Sequence, residues 1–221
     1  TKVTYKAYKI GDEVTYNGIN FYVIENSDEN SDSVTLLKEE PLTVAEVNKY
    51  GGVGTENNHV NKNTSESKGT AYDRNGYGEM AYYSSSTCGY NGSKWIYDGC
   101  TTDYAKSEVK YVVDAWALDK LKANDLKEDK TGYSARLITY DELTSNLGYE
   151  KKDSSASSSS NGETPSWVYN SKYSSWTMSQ YVDSTYGVWS VYESGYVGSN
   201  SVYDYEVSVR PVITLLKDAI K

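Results

Sequence analysis

The 221-residue chain has one phenylalanine, one histidine, two cysteines and three prolines, and its 22 basic residues are outnumbered by 31 acidic ones. Each shortage excludes something. His59, alone in a polar run, falls short of a zinc ligand set even with both cysteines. The net charge of −9 opposes a phosphate backbone, which needs clustered Lys and Arg, and also an anionic membrane surface. No run approaches the roughly twenty apolar residues of a bilayer span, and no signal peptide is visible. A start at Thr1 in place of Met leaves room for an export or anchoring segment ahead of it. Nucleic acid and direct membrane contact are therefore not expected, and the length suits one core, a single domain over residues 1–221.

What the chain has instead is tyrosine, 24 residues against the one phenylalanine. From Trp167 onward, eight tyrosines and three tryptophans are spaced by Ser, Gly, Asn, Asp and Val. Tyr and Trp offer large amphipathic contact area for only two side-chain torsions, and Ser, Gly and Asn add adaptable hydrogen bonding, a mixture favoured on recognition surfaces. The other reading is a sheet whose rings merely cover its strands.

Several elements are written locally. Val14 and Tyr16 lead into Asn17-Gly18, and Ile19, Phe21 and Val23 follow, which predicts a hairpin with a type I′ turn; Val34, Leu36 and Leu37 then extend a meander. Thr43 with Glu46 and Thr139 with Glu142 are capping boxes for two short helices, ending near Tyr50 and near Leu147 with Gly148 beyond. A long helix is expected from Asp103 to Ala123, with Val109, Val112, Val113, Trp116, Leu118 and Leu121 near helical spacing and Trp116 as a core anchor. Gly51 to Asn91 reads as an irregular region with short strands, and Lys151 to Ser166 as a flexible polar surface excursion. The tail resumes alternation, Val188, Ser190 and Tyr192 against Trp189 and Val191, then a turn at Glu193 to Gly195. Val207 to Ile213 reads as a closing strand that Pro211 consigns to an edge or a bend.

Cys88 and Cys100 bracket TCGYNGSKWIYDGC, a Gly-, Asn- and Asp-rich hairpin or loop. A disulfide between them implies an oxidising compartment; the other reading is two reduced apolar side chains. Asp28, Asn30, Asp32 and Glu39 have the spacing of a calcium loop, but Ser33 stands where that loop needs glycine and no helices flank it, so a solvated turn is expected and no metal. The remaining acid–base groups are scattered carboxylates such as Asp73, Glu79, Asp98 and Asp103, with no pair singled out. Neither enzymatic activity nor a cofactor is expected.

The run ARLIT (Ala135 to Thr139) continuing YDEL, SWTMS at Ser175 to Ser179, VWSV at Val188 to Val191 and SVRPVITL at Ser208 to Leu215 resemble the C-type-lectin-like fold, more closely its formylglycine-generating-enzyme branch. The chain also looks like surface proteins of gut Firmicutes ending in VRPVI, some of which carry a prepilin-type amino terminus. The resemblance covers about the last ninety residues well. It implies an α+β fold with a small antiparallel sheet, one long and two short helices, and a long-looped, variable, ligand-binding surface, which retroelements diversify in one group of such proteins. The chain departs from the enzymes in having no cysteine after Cys100, and from calcium-dependent lectins in lacking their Glu-Pro-Asn, Gln-Pro-Asp and Trp-Asn-Asp motifs.

Tyr181, Asp183, Tyr186, Tyr192, Tyr196, Tyr203, Asp204 and Tyr205, in or beside turns of the last sheet, are the expected ligand-binding residues. Trp176 and Trp189 are expected in the core, and Arg210 is expected to be structural. The function expected is an exported, adhesin-like domain at a bacterial surface that binds a protein or glycan. The alternative is a structural subunit of a pilin-like filament that polymerises through a preceding amino-terminal segment.

Overall fold

Asn17 and Gly18 both take positive φ, 50° and 75°, the twist that closes a two-residue hairpin. In the computed structural model, which describes residues 3–51, 71–83, 85, 87–90, 93–153, 159 and 162–220, β1 (Glu13–Tyr16) and β2 (Ile19–Val23) meet there with Tyr16 opposite Ile19. β3 (Ser33–Lys38) pairs with β2 to complete the meander. Then come α1 (Val44–Gly51), a hairpin of β4 (Tyr72–Arg74) and β5 (Tyr77–Glu79), and a ribbon of β6 (Gly89–Tyr90) and β7 (Trp95–Ile96). α2 (Glu108–Lys120), β8 (Ala135–Arg136) and α3 (Tyr140–Asn146) follow, and the chain closes with β9 (Ser175–Gln180), β10 (Gly187–Val191), β11 (Val197–Ser201) and β12 (Val212–Leu216). The fold is mixed α+β. One antiparallel sheet runs in the order β1-β2-β3-β12-β8, a second in the order β11-β10-β9.

Both capping boxes form. Glu46 accepts from Thr43 N at 2.8 Å while Thr43 Oγ1 accepts from Glu46 N at 3.2 Å, and Thr139 and Glu142 repeat the exchange at 2.9 and 3.0 Å. Gly148, at φ 83°, stands just past α3 as expected. The long helix starts later than its periodicity implies. Asp103 caps a single 3-10 turn at Tyr104–Lys106, accepting from Ala105 N, and Ser107, in extended conformation, then caps α2 by accepting from Lys110 N. Two successive side-chain acceptors thus divide what reads as one helix.

The end of the chain differs more. β12 is not an edge but lies between β3 and β8, and it begins just beyond Pro211. A residue without an N–H cannot serve a ladder bonded on both sides; Pro211 contributes only its carbonyl, which accepts from Lys38 N at 2.8 Å.

Because side chains alternate across a strand, neighbouring residues of β3 and β12 enter different cores. Leu36 and Ile213 pack with Val109, Val112 and Trp116 of α2 and with Trp176, whereas Leu37 and Val212 pack with Leu143 of α3 and Trp189. Covered on both faces, these strands read as near-continuous apolar runs. β10 behaves likewise: Gly187–Val191 is buried throughout, so its expected alternation marks two packed faces and no wet one. Trp116, Trp176 and Trp189 are core residues, at 0%, 0% and 1% exposure.

Buried arginines tie the layers. Arg210 donates to the carbonyls of Lys38, Glu39, Trp167 and Val168, a structural role as expected. Arg136 pairs with Glu142 at 2.6 Å and Asp129 at 2.7 Å, joining β8 to α3. The polar segment 151–166 is only partly described; within it Ser159 is buried and bridges Val197 of β11, so the excursion returns to the sheet. Residues 52–70, with His59, lie outside the described residues.

Candidate functional site

The Cys88–Cys100 disulfide forms, with Cα atoms 4.7 Å apart, and encloses the β6–β7 ribbon. Cys88 is buried against the main core, so the loop is rooted there. Gly99 lies so close to Thr87 that a Cβ would meet its Oγ1 at 1.8 Å, and Gly99 N donates to Thr87 O at 3.0 Å. The base of the loop is therefore stapled by sulfur, glycine contact and backbone hydrogen bond together.

From this base the ribbon raises two rings into solvent, Trp95 at 52% and Tyr97 at 42% exposure. They meet two rings from elsewhere. Tyr186, just before β10, lies 5.0 Å from Tyr97; Tyr203, just after β11, lies 4.9 Å from Trp95 and 6.1 Å from Tyr97. The tyrosine pair is held because Tyr186 O accepts from Val202 N at 2.7 Å, and Val202 itself is wholly buried. Burial, with the Tyr97 phenol close by, pushes the Tyr203 hydroxyl above its ordinary pKa, so it is an uncharged donor and acceptor at neutral pH. Ring pairs at these separations contribute about 0.5–1.5 kcal/mol each beyond area burial, which pre-orders the surface before any ligand arrives.

The eight residues expected to bind fall into three settings. Tyr186 and Tyr203 join this aromatic surface. Tyr192, Asp204 and Tyr205 line a polar cleft of about 570 Å³, where the Tyr192 hydroxyl donates to Ser199 O at 2.5 Å and Asp204 accepts from Ser201 N at 2.9 Å. Tyr196, 50% exposed, stands at the β10–β11 turn, and Asp183 takes φ 53° in the exposed β9–β10 turn. Tyr181 is half-buried: its ring packs edge-on against Trp189 at 4.5 Å, at the margin of the smaller core.

Trp95 and Tyr97 were not foreseen as binding residues. Their signal lay in TCGYNGSKWIYDGC, which has the same Tyr, Trp, Gly, Asn, Ser and Asp mixture as the tail but reads first as a cysteine loop. The calcium-spaced residues disperse: Asp28 accepts from Asn30 N and Ser31 N within its own turn, Asp32 pairs with Lys127, and Glu39 accepts from Asn20.

Comparison with protein-family models, with curated proteins and with solved structures finds no match to this chain. What the surface does has to be argued from its own chemistry. Four rings from three separate segments meet at the surface, Trp95, Tyr97 and Tyr186 exposed and Tyr203 half-buried at the margin of the main core, while tryptophans of comparable size fill the cores, so the patch is not surplus core material. Large rings packed together in water, each with a polar atom at its edge, are the arrangement enriched at the centres of recognition interfaces. Of the carboxylates considered for catalysis, Asp103 and Asp73 cap turns, Asp98 is exposed, and Glu79 is wholly buried.

Proposed function

We propose that the chain is an exported, adhesin-like recognition domain that binds a protein or glycan through the surface of Trp95, Tyr97, Tyr186 and Tyr203. The observation that carries the reading is the exposure of Trp95 in ring contact with Tyr203, on a loop anchored by a disulfide. A rigid, pre-packed aromatic surface loses little conformational entropy when a partner covers it. The disulfide between the only two cysteines is compatible with the extracellular location this role requires. Among the described residues no helix is long and apolar enough to cross a membrane. Among the described residues the arrangement is α+β, with antiparallel sheets and three α-helices, in keeping with the coarse outline of a C-type-lectin-like domain, the fold we assign to it.

The test is a binding screen on arrays of glycans and of extracellular proteins, comparing the native chain with a variant carrying Trp95→Ala, Tyr97→Ala, Tyr186→Ala and Tyr203→Ala. A ligand captured by the native chain and not by the variant supports the reading. Capture that ignores the four substitutions removes it.

A further inference from the structure

The segment after Tyr203 turns from the aromatic surface into the polar cleft, whose wall includes Arg74, Glu193, Asn200, Asp204 and Glu206. Its charges do not balance. Three carboxylates face one guanidinium, and that guanidinium is already held by Glu193 at 3.1 and 3.2 Å. Behind the wall lies a fourth carboxylate. Glu79, on β5, is wholly buried, and neither of its oxygens has a hydrogen-bond partner among the described residues. It is fixed there by backbone, since Glu79 bridges Ser208 and Met80 N donates to Val207 O at 3.1 Å. Its carboxyl is coupled electrostatically to Arg74, Glu206 and Glu193, all in the cleft wall, and to Asp73 on the adjoining strand. Asn200 adds a second orphan, a buried Nδ2 with no acceptor.

A buried carboxylate without a partner is costly, and native proteins rarely keep one without a use. A cation entering the cleft would draw Glu79 into its ionised form, whose field would then join that of Asp204, Glu206 and Glu193, and the cleft opens on a chain of net charge −9. We infer that the cleft receives a basic side chain, Arg or Lys, presented by a protein partner. The incoming cation supplies the charge that the wall lacks, and a partner backbone carbonyl beside it gives Asn200 Nδ2 its acceptor. Among the described residues no group of three or more metal-ligating side chains is placed to hold an ion. This inference rests on reading the neighbouring rings as a binding surface, because they would carry the flanking residues of the same partner. A charged anchor beside exposed Trp and Tyr is the composition of a protein–protein hot spot.

The experiment is a titration of the isotope-labelled full chain, followed by backbone amide shifts, with Nα-acetyl-arginine amide, Nα-acetyl-lysine amide and the neutral isostere Nα-acetyl-citrulline amide. Saturable shifts at Asn200, Ser201 and Asp204 are expected for a cationic probe, with a Kd of about 1 mM, and binding about tenfold weaker for citrulline. Glu206→Gln, at an exposed position, is expected to weaken cation binding by about fivefold, and Glu79→Gln in the same direction. The Trp95→Ala, Tyr97→Ala chain should bind these small probes as the native chain does, which separates cleft from aromatic surface. Equal binding of citrulline and arginine, or no saturable shift for either cation, overturns the inference while leaving the array screen to judge the aromatic surface.

Discussion

Trp95 lies with its ring centroid 4.9 Å from that of Tyr203 at an interplanar angle of 39°, so a side chain from inside the disulfide loop rests on one from the segment leaving the three-stranded sheet. The aromatic surface therefore exists only while the loop keeps its shape. Sequence-distant rings are brought together by a covalent bond on one side and by the buried Val202 on the other.

Disulfide loss should therefore cost both stability and binding. By loop-closure entropy a ring of this size contributes roughly 3 kcal/mol, so Cys88→Ser with Cys100→Ser should lower the denaturation midpoint visibly. Thiol titration of the native chain, folded and denatured, should find no free thiol until reductant is added.

Tryptophan position should sort stability from function. Trp95→Ala is expected to change unfolding free energy by no more than about 1 kcal/mol. Trp176→Ala removes a fully buried ring whose Nε1 donates to Met80 O, and is expected to cost about 3 to 5 kcal/mol. Urea denaturation of the two variants checks this. Equal losses would show that Trp95 is structural.

Glu142 serves two devices at once, the cap of α3 and the pair with Arg136. Glu142→Ala should cost about 3 to 5 kcal/mol, because it leaves a buried guanidinium with Asp129 and the Leu137 carbonyl in place of two carboxylates. Thr139→Ala loses only the cap and should cost about 1 kcal/mol. Comparable losses for the two substitutions would show that the ion pair adds nothing.

Glu79 gives a pH signature of unusual sign. Burial first, then the neighbouring carboxylates Glu206, Glu193 and Asp73, push its pKa from 4.5 to about 7 against the opposing pull of Arg74. The folded state thus holds this proton where the unfolded chain has released it, and stability from this group falls as pH rises from about 4.5 through about 7. Glu79→Gln should be more stable than the native chain at pH 8 by roughly 2 to 3 kcal/mol, with the difference shrinking toward zero near pH 4. Chemical denaturation of both chains across that range measures it. Because carboxylates such as Asp129 titrate in both, the difference isolates Glu79. A constant difference would show that Glu79 has the same pKa in the folded and unfolded chains.

What the sequence made legible was local. The Asn17-Gly18 turn and the two capping boxes are decided by residues within a few positions of one another, and the structure bears them out. Long-range placement was less accessible. Val207 to Ile213 reads as one strand interrupted at Pro211, whereas β12 begins only at Val212, and its pairing with β3 and β8 shows that it is central. Tyr186 could be picked as exposed from turn position, whereas Tyr181 and Tyr203, with the same local signature, are half-buried because each packs against one of the two cores. The unpaired state of Glu79 follows from a strand bridge to Ser208, across a separation no periodicity spans.

The most direct test is an equilibrium titration of the ligand captured on the arrays against the native chain and the Trp95→Ala, Tyr203→Ala double variant, with thermal melting of both recorded in the same buffer. Affinity lower by at least about thirtyfold, at a nearly unchanged melting temperature, is the expected result, since hot-spot rings contribute about 2 kcal/mol or more. Undiminished affinity in the double variant would contradict the assignment of binding to these rings.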